Sequence, residues 1–173
     1  MALIKSVRGF TPKYEDSCWL ADNAVLIGDV TLGPKCTVWF NAVVRGDVNS
    51  IVVGTNSNIQ DNATIHGTFE KSSITIGDNV SIGHNAIIHG CTLEDNVLIG
   101  MGAIVMDHAV VGSGTVVAAG AVVLENMVLE PNSVYAGTPA RKIKDVQEKH
   151  RAMQERIASN YIKYAGWFKE ENV

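Results

Sequence analysis

The chain has 173 residues, enough for one domain around a continuous core. A net charge of -4 without any basic run argues against a nucleic-acid surface. Val, Ile and Gly are abundant and aromatic residues make up only 6%, a composition suited to a β solenoid. Cys18, Cys36 and Cys91 are odd in number and lack C-x-x-C spacing, so they read as thiols in a reducing cytosol. The start has no apolar stretch of signal-peptide length, and no segment approaches a membrane span. The expectation is a cytoplasmic protein without a membrane or nucleic-acid partner.

In chain order, residues 1–20 read as a segment capping the end of a solenoid, because terminal repeats need a cover. A repeat then runs over 21–140, starting near Ile27-Gly28. Leu93, Ile99, Val105, Val111, Val117, Val123, Leu129 and Tyr135 lie at intervals of six. Neither a helix period of 3.6 nor a strand period of two gives this spacing. With Gly often following, as in Ile76-Gly77, Ile82-Gly83 and Ile99-Gly100, it predicts an all-β solenoid, a parallel β-helix of hexapeptide repeats. The register is broken by three extra residues between Val44 and Val53, five extra within Gly67 to Thr75, and one missing before Leu93. Residues 141–173 follow the breaker Ala-Gly-Thr-Pro-Ala-Arg and form the C-terminal portion. From residue 142 to about 169, Val146, Met153, Ile157, Tyr161 and Tyr164 recur at helical spacing, predicting an amphipathic C-terminal α-helix anchored by Trp167 and Phe168.

If three hexapeptides make one turn, residues eighteen apart stack, corrected for the breaks. Val44, Ile65 and Ile88 then share one edge, and the residues after them, Arg45, His66 and His89, form a column spaced by about 4.8 Å. Two imidazoles one layer apart can reach a single metal ion. Asp61 and His84 form a second column on another edge, so His84 is not expected to complete the site within its own chain. A neighbouring copy could supply it, and a cyclic trimer would repeat that contact three times. Three neutral imidazoles leave a fourth position open, a catalytic arrangement. His108 and His150 fall off these columns.

The ordered set Arg45-Gly46-Asp47, Ile59-Gln60-Asp61, His66, Gly83-His84, His89-Gly90-Cys91 and Ile99-Gly100-Met101-Gly102-Ala103 resembles the γ-class carbonic anhydrases and their smaller relatives, over nearly the whole chain. The resemblance implies a left-handed parallel β-helix and a homotrimer acting on CO2 and bicarbonate. It implies Zn2+, or alternatively Fe2+ or Co2+, held by His66 and His89 of one chain and His84 of the next. It implies that Arg45 and Asp47 hold subunits in register, with Asp61 as the ionic partner of Arg45 across the interface, and that Gln60 positions the attacking hydroxide. Tyr161 looks like the tyrosine that reaches over the metal, although packing in the helix stripe is an equal reading, and Tyr164 is the other candidate.

The chain departs from the archaeal prototype in having Val48 where that protein has Glu, and only Gly67-Thr68-Phe69-Glu70-Lys71 where it has an acidic loop. Both acidic parts of a proton relay are therefore missing or altered, with Glu70 a solvated loop carboxylate. A carbonic anhydrase-like lyase, slowed by proton export, is the leading expectation. A hexapeptide-repeat acyltransferase and a metal-dependent thioesterase on the same scaffold are the alternatives.

Overall fold

A computed structural model describes residues 1–171; the last two residues of the predicted tail lie outside the described residues. The chain is a left-handed parallel β-helix followed by one long α-helix. The strands are short, most of them two or three residues, because each hexapeptide supplies one inward residue and then turns a corner. Parallel pairing puts Ile59 on Ile82, Ile82 on Ile99, Ile99 on Val117 and Val117 on Tyr135. A second stack is Val44, Ile65, Ile88, Val105 and Val123, and a third is Val53, Ile76, Leu93, Val111 and Leu129. These side chains are almost wholly excluded from solvent, so the period of six read from the sequence is the core itself.

The corners require backbone that ordinary residues resist. Asn41, Asn62 and Asn85 have φ near +60°, and the same corner continues with Gly102 and Gly120. Asn56, Asn79 and Asn96 repeat the pattern at another corner. Asn and Gly visit the left-handed region at low cost, which explains why they alternate there. His108 occupies such a corner with φ of 59°, so it serves a turn.

The three breaks take distinct forms. The three extra residues before Val53 do not leave the sheet: they bulge within the strand Val43–Val53, whose register shifts between Gly28/Gly46 and Val30/Ile51. The five extra residues form the loop between the strands Thr64–His66 and Ile74–Ile76. The missing residue shortens the corner at Gly90, which has φ of 56°.

The N-terminal segment covers the first coil, with Leu3–Lys5 pairing parallel to Val25–Leu32. The C-terminal portion differs from the expectation of a helix from residue 142. Arg141–Asp145 is a strand that turns back antiparallel along Ser133–Ala136. The helix, α1, spans Glu148–Glu171. Its first turn is capped locally, the His150 ring accepting from the Gln147 N–H at 2.8 Å. At 1.5 Å per residue α1 is about 36 Å long, enough to run down one whole face of the solenoid. It does so: Met153 and Ile157 pack on Leu98, Val116 and Val134, while Phe168 reaches Trp19, Trp39 and Phe40 in the first coils. Phe168 is thus the anchor; Trp167 stacks on Tyr164 of its own helix and stays half exposed.

Candidate metal centre

The register places Arg45 on His66 and His66 on His89, the column expected from the spacing. The two imidazole centroids are 5.4 Å apart. The extra residues in the bulge bring Asp47 over the column: Arg45 Nη1 donates to Asp47 Oδ2 at 2.6 Å, and His66 Nε2 donates to Asp47 Oδ1 at 3.0 Å. Partial burial disfavours the Asp47 anion, but the hydrogen bonds from Arg45 and His66 outweigh it and hold the carboxyl below the usual carboxylate range. Burial, and then the Arg45 charge, push the His66 pKa below its ordinary value against the opposing pull of Asp47, so His66 favours the neutral form that a metal needs.

His89 is oriented by a residue the sequence reading did not single out. Its Nδ1 meets Asp107 Oδ1 at 2.9 Å, and Asp107 is held in turn by Ser72 Oγ at 2.7 Å and Thr68 Oγ1 at 2.8 Å. Burial opposes ionisation of Asp107, but its three donors together win and lower its pKa. Gly90 makes this possible, since a Cβ there would collide with the Asp107 carboxylate and the Ser72 side chain. Spacing carried no signal for Asp107, whose side chain reaches His89 by folding over Gly90. The loop carrying Thr68 and Ser72 is tied down again by Asn49, whose Nδ2 donates to both of their carbonyls at 2.6 and 3.0 Å.

His84 stands on the other face, with Asp61 directly beneath it. Its Nδ1 meets Asp61 Oδ2 at 2.8 Å. That hydrogen bond leaves Nε2 as an acceptor, and the Tyr161 hydroxyl reaches it at 3.2 Å. The Tyr161 ring also packs edge-on against Trp39 at 5.1 Å, so the hydroxyl touches His84 while the ring packs in the helix stripe. Burial first, then the Asp61 charge and Tyr164, push the Tyr161 hydroxyl up to about 12, which keeps it protonated. Gln60 is buried beside this group, its Nε2 donating to Asn58 at 3.1 Å. Within the chain, Asp61 is engaged with His84 and Arg45 with Asp47.

One chain thus joins His66 with His89 and sets His84 apart; among the described residues no group of three His, Cys, Asp or Glu could hold an ion. The donor chemistry fits a metal. Two of the three imidazoles spend Nδ1 on a carboxylate, the arrangement that fixes the tautomer and turns Nε2 outward as a ligand. His66 differs in having its carboxylate, Asp47, on Nε2; ligation requires Asp47 to give up that atom and keep Arg45, and the Tyr161 hydroxyl to give up His84 Nε2. Cys18, Cys36 and Cys91 are buried free thiols; Cys91 lies close enough to Asp107 for that carboxylate, after burial, to push its thiol pKa up.

A repeat fold with an interrupted register and histidines on two of its edges defines a class of hexapeptide-repeat β-helix proteins. Models of bacterial transferase hexapeptides and of the hexapeptide repeat of succinyl-transferase match residues 90–125 and 73–106. A carbonic anhydrase of Geobacillus kaustophilus is 35% identical over 96% of this chain and 91% of its own length. Gamma carbonic anhydrase 1, mitochondrial, of Arabidopsis thaliana is 40% identical over 93% of this chain, which spans 60% of that longer protein. In solved structures, a putative acetyltransferase of Bacillus cereus superposes with a TM-score of 0.94 at 34% identity, covering 98% of both chains. The chain belongs to the γ-class carbonic anhydrase family, and that membership implies a metal cofactor.

Proposed function

We propose that this protein is a carbonic anhydrase-type lyase acting on CO2, a homotrimer with a metal held between subunits by His66 and His89 of one chain and His84 of its neighbour. Zn2+ is the first choice, with Fe2+ or Co2+ as alternatives for the same nitrogen set. The observation that carries the reading is the pairing of His84 and His89 with Asp61 and Asp107 through Nδ1, which leaves Nε2 of both rings as acceptors suited to a metal, the His84 one engaged by the Tyr161 hydroxyl in this structure. A metal at such a site supplies Lewis acidity that brings the pKa of a bound water to about 7. In this reading the buried Gln60 amide, anchored through Nε2, offers its carbonyl end to orient the attacking water. Tyr161, protonated and close to His84, donates to an oxygen of the substrate or of bicarbonate. The water oxygen bonds to the CO2 carbon, and hydration yields bicarbonate and one proton. Arg45 keeps Asp47 ionised beside His66 and keeps a partly exposed guanidinium near the subunit edge. A cytoplasmic location, with the three thiols reduced, goes with this reading.

The proton has a poor route out. Val48 carries no acid, and Glu70 sits exposed at the tip of the loop. Turnover is therefore expected to be modest and limited by proton export. Small buffers such as imidazole should raise it in proportion to their concentration. The decisive experiment is metal analysis of the purified protein coupled to a CO2 hydration assay, comparing zinc loading with anaerobic iron loading. A protein that takes up no metal at neutral to alkaline pH, or one that is fully loaded and inert, ends this reading.

A further inference from the structure

Just after the corner that carries Asn56 and Asn79, the inward column of the solenoid begins with two cysteines. Trp19 pairs with Thr37, Thr37 with Asn58 and Asn58 with Ser81, so the residues before them, Cys18, Cys36, Ser57 and Val80, stack one coil apart. The first three do the same structural work. Cys18 Sγ donates to the Gly33 carbonyl at 3.2 Å, Cys36 Sγ to that of Gly54 at 2.9 Å, and Ser57 Oγ to that of Gly77 at 2.9 Å. Each carbonyl lies in the corner leading to the next member of the column, so the Cys18 sulfur points towards the coil of Cys36. A serine hydroxyl meets the same need, and Val80 shows that the column also accepts an aliphatic side chain. Neither packing nor hydrogen bonding therefore calls for sulfur in two successive coils. The two thiols differ in setting. Cys18 is 9% exposed and Cys36 fully buried. Cys18 directly precedes the strand Trp19–Leu20, which ends the eight-stranded sheet and, among the described residues, pairs on one side alone. When Cys18 ionises, the Cys36 thiol is the donor that stabilises it, lowering the Cys18 pKa to about 6 against the cost of burial. The same pairing, together with burial, pushes Cys36 up.

We propose that Cys18 and Cys36 are a site of reversible oxidation by hydroperoxides, with Cys18 the attacking sulfur and Cys36 the sulfur that closes a disulfide. Adjacent strands lie about 4.8 Å apart. That separation falls within the range of about 4.4–6.8 Å between Cα atoms that a disulfide spans. The edge position of Trp19–Leu20 lets the first coil tilt by the small amount the bond demands. In the first step the Cys18 thiolate sulfur bonds to one peroxide oxygen and the O–O bond breaks. The other oxygen leaves as hydroxide or alkoxide and takes up a proton, and Cys18 becomes a sulfenic acid. Cys18 then no longer carries the charge that holds the Cys36 proton. In the second step the Cys36 sulfur bonds to the Cys18 sulfur, the S–O bond breaks, and the departing hydroxyl takes the Cys36 proton as water. The peroxide gains the two electrons that the thiol pair loses. A dithiol reductant reverses the bond by exchange. The third thiol, Cys91, lacks a partner of this kind: burial first, then the Asp107 charge, push it up to about 12, so it is an internal control.

The test treats the purified full chain with hydrogen peroxide at neutral pH, unfolds it, blocks the remaining thiols and maps its peptides by mass spectrometry without reduction. The expected result is a linked Cys18–Cys36 peptide pair lighter by two hydrogens, a free Cys91, and recovery of both thiols with dithiothreitol. Cys18 should react about a hundredfold faster than Cys91, because its much larger thiolate fraction is partly offset by lower nucleophilicity. Cys36→Ser retains a hydroxyl donor of the kind Ser57 supplies in the next coil, and it should leave Cys18 as a sulfenic acid that dimedone traps. Cys18→Ser should leave Cys36 unreacted under the same treatment. Equal, slow oxidation of all three thiols would overturn the proposal. So would a Cys18 that oxidises further without linking to Cys36, or a Cys36→Ser protein that forms no dimedone adduct.

Discussion

Asp107 is the side chain on which His89 depends, and it illustrates what single residues reveal before and after folding. Replacing it by Asn keeps the shape but removes the charge that favours Nδ1–H on His89. Metal affinity of Asp107→Asn should fall about 10- to 100-fold. Competition with a chromophoric chelator measures this directly, and unchanged affinity would show that His89 needs no such support. His66 makes a pH prediction. Burial and Arg45 put its folded pKa below the ordinary value of about 6.5. As pH falls, the unfolded chain takes up the proton first. The stability due to neutral His66 is therefore complete above about 6.5 and drains away below it, towards the lowered folded value. Urea unfolding of metal-free protein should show its midpoint falling through that window, with a shallower fall in His66→Gln. Identical slopes would disprove the assignment. The histidine column was legible because stacking converts sequence distance into position. Asp107 was not, because its side chain folds back over Gly90 into the column of its neighbour, a rotamer choice that spacing does not encode.

At the scale of elements, the helix stripe was legible and the start of the helix was not. Met153, Ile157 and Tyr161 announce a helix, but Arg141–Asp145 gives no alternation of apolar and polar residues, since all five are exposed. Backbone pairing with Ser133–Ala136 makes that strand, and pairing of main-chain groups leaves little trace in side-chain type. The attachment of α1 depends on few contacts at its N-terminal half. Gln154 is buried there, and its Nε2 donates to the corner carbonyls of Asn96 at 2.7 Å and Gly114 at 3.2 Å. Gln154→Ala should weaken docking of this half by about 1–3 kcal/mol, because two part-buried acceptors lose their donor. Hydrogen exchange is the measurement: faster exchange over residues 148–160 with unchanged protection in the solenoid is expected. Uniform acceleration in both would mean that helix and solenoid unfold as one unit. The same helix holds Tyr161 against His84 and Trp39, so loosening it should also lower the fraction of molecules with the hydroxyl at the site.

For the whole molecule, the solenoid was readable because a period of six persists from residue to residue and the core is nothing more than its stacked inward positions. The described residues of one chain do not bring the three proposed ligands together, since His66 and His89 share a column while His84 pairs with Asp61 on another. That separation yields a test of assembly that needs no knowledge of the substrate. Take two variants, His66→Ala and His84→Ala, each lacking one ligand at every interface. The His84→Ala chain still offers His66 and His89, and the His66→Ala chain still offers His84. In a cyclic trimer of mixed composition, one interface of the three then recovers all of its ligands. Random assembly makes about three-quarters of the trimers mixed, so co-refolding equal amounts should restore roughly a quarter of the wild-type metal sites, with neither variant alone restoring any. Metal stoichiometry on the separated trimers reads the result. Mixed trimers that hold no more metal than their parents would show that the three histidines do not meet across an interface.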